Sequence, residues 1–284
     1  MRSLPFFFLL LILAPWALAE LPEGQAGIAS GFPGDAKIET DERVVFVERF
    51  DEPDLQQLLA RWNDSRPEDF SFSADSAPNS ADPNSLLMSH TGGDGEGGSL
   101  YRQLLPGYEK LHARWYVKFD SDCFDLHHFG THLGGFNPPT RWPQGGAGNR
   151  PDGSKRFTSG VEPYGKDWAW DFYSYWQGMH RHGSGKYWGT PFLTHVDKPK
   201  IEKDKWICVE MMIKMNDVGK SNGEQAFWID GKLWRRDGQV VSHAGPGFPK
   251  GKWKGGWWAP DADADSVFEG FEWRSTDKLA INYL

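Results

Sequence analysis

Two stretches of this chain place apolar side chains at every second position, and a period of two sharply limits what such a chain can become. In LHARWYVKFDSD, Trp115, Val117 and Phe119 fall on one side, with Arg114, Tyr116, Lys118 and Asp120 on the other. In KWICVEMMIKMN, Ile207, Val209, Met211, Ile213 and Met215 oppose Trp206, Cys208, Glu210, Met212 and Lys214. Successive side chains of a strand point to opposite faces, so each segment reads as a strand with one face in a core. GEQAFWIDGKLWRRD adds a hairpin in which Asp230-Gly231 supplies the turn that a two-residue loop requires. Elsewhere short apolar runs are separated by clusters of Gly, Pro, Asn and Asp, and the best helix candidate, EPDLQQLLARW, is short. Many short strands, almost no helix and no internal repeat predict an all-β sandwich or jelly roll. The stretch 137–159, NPPTRWPQGGAGNRPDGSKRFTS, reads as a long loop of the kind that often carries function.

The chain opens on MRSLPFFFLLLILAPWALAE, with an early arginine, a short apolar run and then Ala17-Leu18-Ala19, the small-residue pattern cut by signal peptidases. The expectation is a signal peptide over 1–19, a flexible leader over 20–41 and one domain over 42–284, secreted to the extracellular space or periplasm. No later segment is long and apolar enough to span a membrane. The final INYL lies within a strand-like pattern, so the last strand of the domain is expected to be cut short and to leave an unpaired sheet edge. A formal charge of -8 argues against a nucleic-acid partner, which would need a clustered basic face. Cys123 and Cys208 both sit in strand-like segments; a single disulfide is expected, with two buried thiols as the alternative.

Fifteen tryptophans and eight tyrosines exceed the needs of a core this size, and aromatic rings on a concave sheet would stack on sugars. In GVEPYGKDWAWDFYSYWQGMHRHG, a strand over 168–177 puts Asp171, Tyr173 and Tyr175 on one face. Such a face suits a polysaccharide cleft, and the same spacing also describes ordinary strand tyrosines. His127, His128 and His132, with the pair His180 and His182, keep a zinc or copper site open, although neither HExxH nor CxxC is present. DADADSVFEGFE spaces Asp261, Asp263, Asp265 and Glu272 as a calcium loop would; a solvated acidic turn is the leading reading and a structural calcium ion the lesser one. A GxSxG elbow is absent, and a two-carboxylate glycosidase stays open through Asp171, Glu269 and Glu272.

The order ARWYVKFDSDCFDLHHFGTHLGGF, a Gly- and Pro-rich loop, a strand bearing Tyr173 and Tyr175, KWICVEMMIKMNDVGKSNGEQAFWIDGKLW and FEGFEWRSTDKLAINYL resembles polysaccharide lyase family 14 and its relatives over roughly residues 100–284. The resemblance implies a concanavalin A-like β-jelly roll and cleavage of uronic-acid polysaccharides such as alginate or glucuronan by β-elimination. It implies catalytic roles for the tyrosine pair, matched by Tyr173 and Tyr175, and for a lysine whose place in GTHLGG is held by His132. The family's serine and arginine find Ser159 and Arg156 in KRFTSGVEP at a different spacing.

The leading expectation is therefore a secreted lyase acting on an acidic polysaccharide without a required cofactor. His132 serves as base or charge neutraliser, Tyr173 and Tyr175 as proton donor and positioner, and Arg156, His180, Asp171 and Trp142 as substrate contacts. A glycan-binding module on the same fold and a metal-dependent carbohydrate-active enzyme are the alternatives.

Overall fold

The two alternating segments lie side by side in the computed structural model, which describes residues 26–78, 80, 83–90, 97–126, 128–141, 146–194 and 197–284. Strand Lys110–Val117 pairs antiparallel with Ile207–Lys214, which pairs in turn with Glu224–Ile229. The short strands Lys232–Leu233 and His243–Ala244 complete this first sheet. The hairpin turn falls at Asp230 and Gly231, whose φ values of 48° and 76° give the left-handed pair that matches strand twist. Helix Leu55–Ala60 starts where Asp54 caps it by accepting the Gln57 N–H at 2.9 Å.

A second antiparallel sheet runs in the order Gln103–Tyr108, Ile281–Tyr283, His132–Phe136, Arg156–Pro163, Trp170–Tyr175. Its inward side chains, Leu133, Phe157, Val161 and Phe172, meet Val209, Met211, Ile213 and Phe227 of the first sheet in one continuous core. Each such fully buried side chain stabilises the fold by about 1.5–3 kcal/mol relative to exposure. A polar cluster in this layer is closed on itself: Ser159 and Ser174 hydroxyls lie 2.7 Å apart and both donate to Gln225 Oε1 of the facing sheet, at 2.7 and 2.8 Å. The molecule is thus the expected all-β sandwich of the concanavalin A-like jelly-roll class.

Several expectations are revised. The outer face of Ile207–Lys214 is buried as well, because the segment before the sandwich lies across it: Asp35 reaches Arg114 at 3.2 Å, and Met212 packs with Ala226 and Trp228. Residues 28–31, 33–35 and 38–40 of the expected flexible leader form short 3-10 turns. Residues 1–25, which carry the expected signal peptide, lie outside the described residues. Among the described residues no helix is long and apolar enough to cross a membrane. Cys123 and Cys208 are both free thiols: Cys123 sits in a turn closed by its N–H to Asp120 O, whereas Cys208 is buried in a strand. Strand Ile281–Tyr283 is internal to the second sheet and paired on both sides. The segment read as a loop over 137–159 ends earlier, since Arg156 already begins a strand.

Candidate active site

Register fixes which side chains share the outward face of the second sheet. His132 pairs with Gly160 and Gly160 with Tyr173, so these three form one row; Gly134, Thr158 and Tyr175 form the next. Glu162 and Asp171 stand beside the first row, and Tyr283 pairs with Gly134 beside the second. The glycines in these rows are spatial requirements. A Cβ on Gly160 would overlap the His132 imidazole, which lies flat across that strand, and a Cβ on Gly134 would overlap the Tyr283 phenol.

Glu162, which the sequence reading passed over, organises the cluster. One carboxylate oxygen lies 3.3 Å from His132 Nε2 and the other 3.3 Å from His128 Nδ1. The carboxylate is 1% exposed and the two imidazoles 33% and 50%, so the acid is a buried base plate carrying two accessible rings. Burial pushes Glu162 upward, but the hydrogen bonds and charges of the two histidines outweigh it and hold the group at about 2. An ionised carboxylate only accepts, so His132 presents Nε2–H to it, and in the neutral ring Nδ1 is then the nitrogen that carries the lone pair.

His128 also meets Tyr173 edge to face, with ring centroids 4.7 Å apart, and Tyr173 meets Tyr175 with hydroxyls 3.4 Å apart. Burial and the neighbouring Tyr175 hydroxyl raise Tyr173 far above the usual phenol range, so it carries its proton at neutral pH. Tyr175 is 4% exposed and Tyr283 is buried, with its phenol likewise pushed upward by burial. Arg156 lies on the far side of the tyrosines. Its Nη2 donates to the carbonyls of Gly146 and Asn149, and burial lowers its pKa against the opposing influence of Tyr283 and Tyr175.

The structure brings His132, Tyr173, Tyr175 and Arg156 together on one face and adds His128, Glu162 and Tyr283. The other expected contacts lie elsewhere. Asp171 shares the face in register but is sealed beneath the following loop: it is fully buried, pairs with Lys198 at 3.0 Å and accepts the N–H groups of Phe192 and Leu193. Its role is to fasten that loop, and it does not face an open surface. Ser159 points into the core toward Gln225. His180 sits beyond the strand, stacked on Trp253 with centroids 3.9 Å apart and planes 8° from parallel. Burial and the nearby Arg150 charge lower its pKa, which makes it a neutral stacking ring and not a cationic partner for a carboxylate. Trp142 and His127 lie outside the described residues.

His182 turns to Trp257 while His180 stacks on Trp253, and Asp261 is engaged by Lys252 at 2.6 Å. Among the described residues no three His, Cys, Asp or Glu side chains are placed to hold a metal ion. Of the proposed glycosidase carboxylates, Glu272 is bonded to Gln177 and Ser221.

No family model and no curated protein matches the chain. Among solved structures, the chain is similar to the alginate lyase vAL-1 from Chlorella virus, at 15% identity over 81% of this chain and 86% of that one, with a TM-score of 0.43. It is similar to the marine PL-14 alginate lyase from Aplysia kurodai, at 14% identity over 84% of this chain and 86% of that one, with a TM-score of 0.47. A third likeness, to the alginate lyase Aly36B, has 16% identity over 66% of this chain and 64% of that one, with a TM-score of 0.34.

Proposed function

We propose that this protein is a secreted lyase that cleaves an acidic, uronic-acid-containing polysaccharide by β-elimination. The observation that carries the proposal is the row of His132, Gly160 and Tyr173, with an accessible imidazole held by a buried ionised Glu162 opposite a protonated phenol. β-Elimination needs these two functions. A base takes the proton from C5 of the uronate, the C4–O4 bond breaks as the C4–C5 double bond forms, and an acid returns a proton to O4.

In this reading His132 Nδ1 is the base, turned away from the Glu162 carboxylate that Nε2–H faces. The tyrosine pair supplies the proton: Tyr173 contacts the leaving oxygen and Tyr175 relays to it through the 3.4 Å hydroxyl contact. Arg156, at the opposite end of the pair and four residues along the strand from Gly160, contacts the carboxylate of a neighbouring sugar of the bound polymer. No metal or organic cofactor enters the scheme.

A second reading, a glycan-binding sandwich that does not cleave, is favoured by the 4% exposure of Tyr175. The two are separated by incubating the purified mature protein with alginate, glucuronan and other uronans while following the ultraviolet absorbance of unsaturated uronate ends. Release of such ends supports the lyase, and their absence across the panel refutes it.

A further inference from the structure

Beyond the Tyr173 side of the sheet, two guanidinium groups converge on one aromatic ring. Arg150 Cζ lies 5.6 Å and Arg181 Cζ 5.5 Å from the Tyr187 ring centroid. Either contact alone is an ordinary cation–π pair. Together they hold two like charges against one ring, and neither arginine has a carboxylate within ion-pair distance among the described residues. The chain carries a net charge of -8, with acidic side chains in ample supply for pairing. The nearest acid in sequence, Asp152, is turned away and accepts from Ser154 and Lys155. Both arginines are exposed, as is His180 on its Trp253 platform.

This cluster is tied to the catalytic row by backbone. Tyr187 N–H donates to Gly148 O, in the loop whose Gly146 and Asn149 carbonyls receive Arg156. Two residues past Tyr187, about 7 Å of extended chain, Gly189 lies against the Tyr173 ring, and Thr190 N–H then bonds Ser174 O. A linear polymer leaving the tyrosine pair on this side meets the arginines next.

Resting on the lyase reading of the adjoining face, we propose that Arg150, Arg181 and Tyr187 form a distal subsite that binds the carboxylate of a uronate outside the reacting bond, with His180 and Trp253 as its stacking platform. A guanidinium fork matches a carboxylate in two parallel hydrogen bonds, and the tyrosine holds both forks in place before the ligand arrives. The subsite selects acidic polymers over neutral ones and favours long chains over short ones.

The test is native electrophoresis through gels containing alginate, polygalacturonate or glucuronan, with a neutral β-glucan gel as reference. A His132→Ala parent keeps the polymer intact during the run. The expected result is retardation of the parent in at least one acidic gel and a loss of at least tenfold in apparent affinity for the Arg150→Ala/Arg181→Ala double variant. The Arg150→Lys/Arg181→Lys variant keeps part of the retardation, and thermal melting confirms that all are folded. Equal retardation of folded parent and double variant overturns the subsite, as does a parent that no acidic polymer retards. Unsaturated-end assays keep the two proposals apart. If the native enzyme cleaves and the double variant has an unchanged KM on polymer, the subsite falls and the lyase stands. If nothing cleaves but retardation still depends on the arginines, the subsite stands and the lyase falls.

Discussion

Glu162 and His132 meet at 3.3 Å across neighbouring strands, the carboxylate almost fully buried and the imidazole one-third exposed. The pairing converts a histidine on a flat sheet into a ring of fixed orientation and fixed tautomer. His128, held by the other carboxylate oxygen, gives the same acid a second accessible ring and joins it to Tyr173.

Replacing His132 by alanine removes the proposed base. The rate of unsaturated-end release is expected to fall by about 10²–10⁴-fold, the usual range for general base catalysis. Glu162→Gln keeps the shape but lets the tautomer drift, and a smaller loss is expected. Initial rates on the best uronan, measured beside a thermal melt, check both.

Gly160→Ala tests the geometry without touching an ionisable group. The added methyl overlaps the His132 ring and must swing it off the sheet. Activity is expected to fall nearly as far as in His132→Ala, with a stability loss of about 1–3 kcal/mol from overpacking. Full activity in this variant would place the chemistry elsewhere.

Stability should depend on pH through Glu162. The group is more acidic folded, at about 2, than its ordinary value of 4.5, so its stabilisation is complete above pH 4.5 and is lost as pH falls toward 2. A shift of this size corresponds to about 3 kcal/mol. Glu224, held at about 2 by His243 and Lys214, shares the window. Urea midpoints between pH 7 and pH 2 should therefore be flat above pH 5 and fall below it, less steeply in Glu162→Gln than in the native protein.

Asp171→Ala leaves the Lys198 ammonium buried without its partner 3.0 Å away and frees the N–H groups of Phe192 and Leu193. A loss of about 3–5 kcal/mol is expected. The double variant Asp171→Ala/Lys198→Met should recover part of it, and denaturant titration measures both.

The strands were legible because their information is local. Alternation placed Ile207, Val209, Met211 and Ile213 in the core, and Asp230-Gly231 marked the hairpin. His132 and the tyrosine pair stood out by residue type and spacing. Glu162 did not, since GVEP reads as an unremarkable strand, and only the pairing of His132 with Gly160 sets its carboxylate under two imidazoles. Asp171 misled for the complementary reason. Alternation gives its face correctly, but the cover supplied by Phe192, Leu193 and Lys198 is a tertiary fact. Arg150, Arg181 and Tyr187 come from two loops that meet through the Gly148–Tyr187 bridge, which no short window of sequence displays.

Strand Ile281–Tyr283 lies between Gln103–Tyr108 and His132–Phe136, and Asn282 bonds Phe136 across 146 residues of chain. Closing so long a loop is slow compared with forming the local hairpins, so Ile281–Tyr283 is expected to dock late, after His132–Phe136, Arg156–Pro163 and Trp170–Tyr175 have paired. A collapsed intermediate can hold the Ile207–Ile229 hairpin and much of the core while Gly134 still lacks Tyr283. Recovery of activity during refolding should therefore lag behind recovery of secondary structure, with catalysis reporting the completed molecule and circular dichroism only its beginnings.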